Sequence, residues 1–116
     1  MLQVKWATCG DDHHWCDFLQ LIASKIKAEG VYVIWRGGSP SKVVRVGQGI
    51  IANRLGAHRV DPEIMAHKQL GLYVTWATVP AGQRGGVERY LGDVYHPLTG
   101  DAFPDVDPIE VNLPGL

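Results

Sequence analysis

Two side chains suited to phosphate chemistry, Arg54 and His58, stand four positions apart in this chain. On a helix this spacing places both side chains on one face. Arginine stays charged and can bind two phosphate oxygens at once, while histidine, with an ordinary pKa of about 6.5, is well suited to accept a proton. The pair favours a site for an anionic phosphate group, although an ordinary solvated helix face would show the same spacing.

A tyrosine and a glutamate could add to such a site. Tyr32 lies in the β-patterned run 30–35, and Glu88 lies in the first turn of a later predicted helix. A single carboxylate can hold Mg²⁺, because that ion keeps several waters and takes other ligands from substrate phosphates. The Tyr32 phenol would need a nearby cation to lower its pKa from about 10. Each residue also has a purely structural interpretation, as a buried tyrosine with a bonded hydroxyl or as a carboxylate at a positive helix end.

The order of these residues resembles the core of the GIY-YIG nuclease superfamily. Two β-patterned runs, 30–35 and 43–49, are joined by a Gly/Ser/Pro turn and followed by the Arg54–His58 helix. The resemblance covers roughly residues 30–97. It implies an endonuclease, a hydrolase that uses Mg²⁺ or Mn²⁺ to cleave phosphodiester bonds of nucleic acid, with DNA the preferred partner. It also implies four catalytic residues, of which the last binds the metal: Tyr32, Arg54, His58 and Glu88.

The chain departs from the family pattern at two places. The second motif reads Arg45-Val46-Gly47, so an arginine replaces the usual tyrosine, and arginine cannot act as a base near neutral pH. The family also tends to have an Asn after a Pro beyond the glutamate helix, whereas Leu98 follows Pro97 here. A second hypothesis therefore stands beside the enzyme: a catalytically degenerate GIY-YIG-like module that binds nucleic acid or a protein partner.

Basic residues are concentrated near this predicted site. Residues 36–59 contain five arginines and lysines and no acidic residue, although the whole chain has a net charge of -1. We predict that Arg45, Arg59 and Lys42 bind phosphate. Charges scattered over a solvated surface are the alternative.

A weaker candidate site lies near the start of the chain. Cys9, His13 and Cys16 could supply three zinc ligands. Their spacing is less specific than that of a zinc site built from two short knuckles, so zinc is not expected. Free thiols are favoured over a disulfide for two cysteines in a chain predicted to be cytoplasmic.

Length and composition predict one soluble domain. The chain has 116 residues, 46% of them hydrophobic and 20% charged, which is ordinary for a globular protein. Neither a membrane-spanning run nor a secretion signal is recognisable, so we expect no membrane partner and a cytoplasmic location.

The elements predicted along the chain give an α+β fold. We expect an N-terminal helical extension over 1–29, a GIY-YIG-like core over 30–97 and a Pro-rich tail over 98–116. Within the core, the patterns predict strands near 31–35, 43–47 and 72–79. They also predict a helix that ends near 58, a helix that starts at Asp61-Pro62 and ends near 71, and a helix that starts at Gly86, after a loop over 80–86, and ends before Pro97. Residues 109–113 could add an edge strand. The result is a small three-stranded, mostly antiparallel sheet flanked by helices.

Overall fold

The computed structural model describes residues 1–100 and 103–116. It is an α+β fold in which a four-stranded antiparallel sheet has the spatial order β1-β4-β2-β3. The strands are β1 (Cys16–Asp17), β2 (Glu29–Arg36), β3 (Lys42–Ile50) and β4 (Leu72–Thr78). The helices are α1 (Ile51–His58), α2 (Pro62–Met65) and α3 (Ala81–Tyr95), with short 3₁₀ turns at Ala23–Lys25 and Lys68–Leu70. The predicted fold class is confirmed, with one strand more than expected.

Strand β2 lies at the centre of the sheet and is buried on both faces. Its side chains alternate between two hydrophobic clusters, one that includes Tyr32 and Ile34 and packs with α1, and one that includes Val31 and Val33 and packs with α3. A strand buried on both faces explains why residues 31–35 are apolar without interruption.

Helix α1 follows β3 directly. Gly49 has a φ of +129°, a conformation that side chains rarely adopt, and it redirects the chain at the end of the strand. Ile51 then starts α1, with its backbone N–H donated to the carbonyl of Ala28 at 3.2 Å. Helix α2 starts as predicted, because the Asp61 carboxylate accepts the backbone N–H of Glu63 at 2.9 Å. It ends at Met65, so the expected continuation to residue 71 is wrong.

The predicted N-terminal helix is wrong. Residues 16 and 17 instead form β1 on the edge of β4, and Phe18 donates its N–H to the carbonyl of Leu72. The Arg59 guanidinium donates to the carbonyls of Phe18 and Leu21. A helix would have used those two carbonyls for its own backbone bonds, so the tertiary contacts overrode the 3.6-residue periodicity.

The expectation of free thiols is also wrong. Cys9 and Cys16 are joined by a disulfide, and their sulfurs are therefore not available as thiolate ligands. The zinc candidate Cys9, His13 and Cys16 is thus contradicted. Over residues 1–100 and 103–116, no group of three or more His, Cys, Asp and Glu side chains could hold a metal ion by itself.

Helix α3 begins five residues earlier than the predicted start at Gly86, and the predicted loop at 80–86 is wrong. Glycines of this segment instead allow α3 to pack closely against the C-terminal tail. Gly86 lies against Ile109, which donates its N–H to the Gly86 carbonyl at 2.9 Å, and Gly92 lies against the ring of Phe103. A Cβ at either glycine would overlap the tail.

The tail itself is mostly irregular. The edge strand considered for residues 109–113 is reduced to a single parallel bridge between Val111 and Leu2. Of the helices in the described ranges, none is long and apolar enough to cross a membrane.

Candidate active site

The site is built around a tyrosine hydroxyl that reaches across a glycine. Tyr32 on β2 pairs with Gly47 on β3, the edge strand, so the two residues share one face of the sheet. A Cβ at position 47 would overlap the Tyr32 hydroxyl. The absence of a side chain there allows the phenol to lie over β3 and to contact α1.

At the far side of this phenol lies His58, the last residue of α1. The Tyr32 hydroxyl and His58 Nε2 are 2.5 Å apart. Burial lowers the pKa of His58 to about 4, and the positive charges of Arg45 and Arg54 act in the same direction, opposed by Asp61. The imidazole is therefore neutral at physiological pH, and with its proton on Nδ1 it accepts the Tyr32 hydrogen at Nε2.

Burial also raises the pKa of Tyr32, whereas Arg54 and Arg45 act against this rise. The phenol is consequently protonated at rest. The two guanidinium groups supply nearby positive charge, but their effect on the pKa of Tyr32 does not outweigh the loss of solvation.

Arg54 lies one turn before His58 on α1, and its aliphatic carbons pack beside Gly49. Its Nε is buried and has no hydrogen-bond partner among the described residues. A buried N–H of a charged group without an acceptor is costly, and an anionic oxygen is the kind of acceptor that would satisfy it.

Arg45 brings a second guanidinium to the same face. Arg45 on β3 pairs with Ile34 on β2. Residues 98 and 99 of the tail hydrogen-bond to the edge of β3. The next residue, Gly100, lies against the Arg45 guanidinium. Its charge affects the pKa values of Tyr32, His58 and Glu88. Arg45 therefore belongs to the same site as Tyr32, His58 and Glu88.

Glu88 approaches from α3, on the other side of the edge strand. Its Oε1 accepts a hydrogen bond from Gln48 Nε2 at 2.8 Å. Burial raises the pKa of Glu88, while the Gln48 hydrogen bond and the charges of Arg45 and Arg54 oppose that rise. Glu88 in turn affects the pKa of Tyr32, so both carboxylate and phenol belong to one electrostatic cluster.

This donor set fits a hard divalent ion that needs few protein ligands. One oxygen of Glu88 is held by Gln48, which leaves the other to face a cation. The two arginines would repel a bare ion, but a phosphate bound between them supplies compensating negative charge and further oxygen ligands. Glu88 is therefore the residue of this cluster that could hold such an ion, with water or a phosphate supplying the other ligands.

Two of the predicted phosphate ligands are not brought into this cluster. Arg59 bonds the N-terminal carbonyls and lies 5.7 Å from the centre of the Phe18 ring, which gives it a structural role. Lys42 is at the opposite end of β3, five residues before Gly47. At a rise of about 3.3 Å per residue, the two positions are about 17 Å apart.

Sequence reasoning missed Gln48. Because it follows Gly47 directly, strand alternation turns its side chain to the opposite face, toward α3. The signal available in the sequence was the polar Gln48 between two glycines, Gly47 and Gly49, in the β-patterned run 43–49.

Comparison with protein-family models, curated protein sequences and solved structures gives no match for this chain.

Proposed function

We propose that this protein is a metal-dependent endonuclease of GIY-YIG type that cleaves phosphodiester bonds of nucleic acid, with DNA as the first substrate to test. The observation that supports this best is the Tyr32–His58 hydrogen bond, together with the buried Arg54 Nε, which has no hydrogen-bond partner within residues 1–100 and 103–116. Together they offer a path for a proton and a docking point for a phosphate.

In the proposed reaction, a water oxygen bonds to the phosphorus while the bond from phosphorus to one sugar oxygen breaks, and the departing oxygen takes a proton from solvent. Tyr32 takes a proton from the attacking water while its own hydroxyl proton passes to His58 Nε2. The transfer forms no free phenolate, which suits a phenol whose pKa is raised by burial. Arg54 binds the scissile phosphate and stabilises the charge that develops on its oxygens. Arg45 adds positive charge to the same region.

Substrate binding also makes the proton acceptor stronger. Arg45 and Arg54 help to lower the pKa of His58, and a phosphate bound between them offsets their charges. The imidazole becomes more basic at the moment when a phosphate is present.

Glu88, held in place by Gln48, would be the ligand for Mg²⁺ or Mn²⁺. When bound, such an ion supplies positive charge for the transition state and lowers the pKa of a coordinated water.

The test is nicking of supercoiled plasmid DNA in the presence of Mg²⁺ or Mn²⁺. We expect cleavage by the wild type, and a loss of about one hundred-fold or more in Arg54→Lys and Glu88→Gln. Arg89→Lys and Glu63→Gln are matched controls, because both residues are partly or fully exposed and lie outside the cluster. Cleavage that survives both site substitutions would contradict the proposal.

A second candidate is a module that binds nucleic acid or a protein partner without cleaving it. The specific observation in its favour is the weak basicity of His58, whose pKa of about 4 disfavours proton uptake. A binding module of this kind should bind DNA in a salt-sensitive way, and Arg45→Gln and Arg54→Gln should weaken that binding. The wild type should show no metal-dependent cleavage.

The cytoplasmic location remains part of the proposal, and the Cys9–Cys16 disulfide argues for testing it, since such bonds persist mainly in oxidising compartments. Thiol labelling of the protein directly after cell lysis reports whether Cys9 and Cys16 are free thiols or a disulfide in the cell.

A further inference from the structure

A groove around Trp76 lies on the same face of the sheet as Tyr32. The two residues pair directly across β4 and β2, so Trp76 is one strand away from the phenol, on the side opposite Gly47. The indole lines a cavity of about 410 Å³ that includes Ile22 and Ile26 in its wall. It also lines a second cavity of about 350 Å³, and the two cavities together form the Trp76 groove.

The charged residues of this groove are all lysines. Lys25 and Lys27 border the larger cavity, and Lys5 borders the smaller one. No acidic residue is present among the described residues that form either wall. Lys25 and Lys27 are exposed and make no ion pair within the described ranges.

A groove with apolar walls and only positively charged residues at its border fits a ligand that combines flat apolar groups with repeated negative charge. Single-stranded nucleic acid has this composition, because its unstacked bases present apolar faces and its phosphates present charges. An indole is the usual platform on which such bases stack.

The groove is also connected to the candidate active site through the backbone. Lys27 precedes Ala28, whose carbonyl accepts the N–H of Ile51 at the start of α1, and Arg54 is in the first turn of that helix. Lys27 is therefore one residue away from the backbone hydrogen bond that joins this wall of the groove to the helix that carries Arg54.

We propose that the Trp76 groove binds a single-stranded segment of nucleic acid next to the cleavage site, with a base against Trp76 and phosphates at Lys25 and Lys27. This inference rests on the proposed function and names its substrate class: nucleic acid with an unpaired strand, such as a flap, a loop or a free end.

The test measures binding of a short labelled oligothymidylate by fluorescence anisotropy in EDTA, so that no metal-dependent cleavage occurs. We expect tighter binding of the single strand than of a duplex of equal length. Lys25→Gln and Lys27→Gln should each reduce the slope of log K against log salt by about 0.7. Lys68→Gln, an exposed lysine on a distant 3₁₀ turn, should leave the slope unchanged.

Trp76→Leu should weaken binding by about five-fold to one hundred-fold, and Trp76→Phe should restore most of it, because a phenyl ring still stacks. Since Trp76 also packs against the core, the lysine variants decide the matter if Trp76→Leu is unstable. A ribonucleotide oligomer of the same length shows whether the groove distinguishes RNA from DNA.

Equal salt slopes in the Lys25, Lys27 and Lys68 variants, or tighter binding of duplex, would overturn the groove assignment. The nicking assay separates the two proposals. If the wild type cleaves plasmid and the Lys25 and Lys27 variants bind oligothymidylate as the wild type does, only the groove proposal is refuted. If the lysine variants lose binding but the wild type does not cleave, only the nuclease proposal is refuted.

Discussion

Titration of His58 should dominate the acid sensitivity of folding. The side chain is 4% exposed, and its pKa is lowered from 6.5 to about 4. The unfolded chain therefore binds more protons at this position between those two values, and the free energy of unfolding rises with pH across that window. Each pH unit corresponds to about 1.36 kcal/mol, so His58 contributes about 3 kcal/mol that is fully present above pH 6.5 and lost as the pH falls toward 4.

The measurement is urea unfolding of the wild type and His58→Gln at several pH values from 4 to 7. Glutamine keeps an acceptor for the Tyr32 hydroxyl but does not titrate. We expect the difference in unfolding free energy between the two proteins to change by about 3 kcal/mol over the window. Glu88, whose raised pKa acts with the opposite sign, is present in both proteins and its contribution cancels.

His67→Gln serves as the control, because His67 is only half-buried and lies outside the cluster. Parallel stability curves for the wild type and His58→Gln would refute the reasoning, since they would mean that the imidazole is as well solvated in the folded protein as in the unfolded chain.

Three further substitutions test contacts described above. Gly47→Ala should lower the free energy of unfolding by about 1–3 kcal/mol, because the added methyl group overlaps the Tyr32 hydroxyl; thermal denaturation measures this, and an unchanged melting temperature would contradict it. Gln48→Ala should weaken Mg²⁺ binding in the presence of inorganic phosphate by about 10-fold to 100-fold, as followed by isothermal titration calorimetry, since Glu88 loses the group that orients it. Arg59→Ala should cost about 1.5–3 kcal/mol in urea unfolding by removing charged hydrogen bonds to the N-terminal carbonyls, while plasmid cleavage relative to folded protein stays unchanged.

The parts of the fold that sequence predicted well are those governed by local pattern. The strands around Tyr32 and Val74 have the β-branched composition of buried strands, and Asp61 with Pro62 is a strong local start signal for a helix. In these segments, the local preference and the tertiary environment agree.

Prediction failed where long-range contacts determine the structure. The carbonyls of Phe18 and Leu21 bond to Arg59, which is about 40 residues away in the sequence. Similarly, the glycines at 85 and 86 suggest a loop by propensity, but the tail packs so closely on α3 that Gly86 has no room for a side chain.

For the candidate site, residue types and order identified Tyr32, Arg54, His58 and Glu88, which the structure brings into one electrostatic cluster. What sequence could not reveal was the balance of pKa effects, because desolvation depends on packing from elements far apart in the chain. It equally could not separate Arg59 from Arg45, since both are basic residues in one run.

The pairing of the tail with β3 has a consequence for association between molecules. An open strand edge is a template for intermolecular β-pairing. Residues 98 and 99 donate to the carbonyls of Val43 and Val44, and at the opposite edge of the sheet Ala7 donates to Trp76 beside the short strand β1. Both margins of the sheet are thus partly occupied by irregular chain, which discourages the stacking of copies into fibrils.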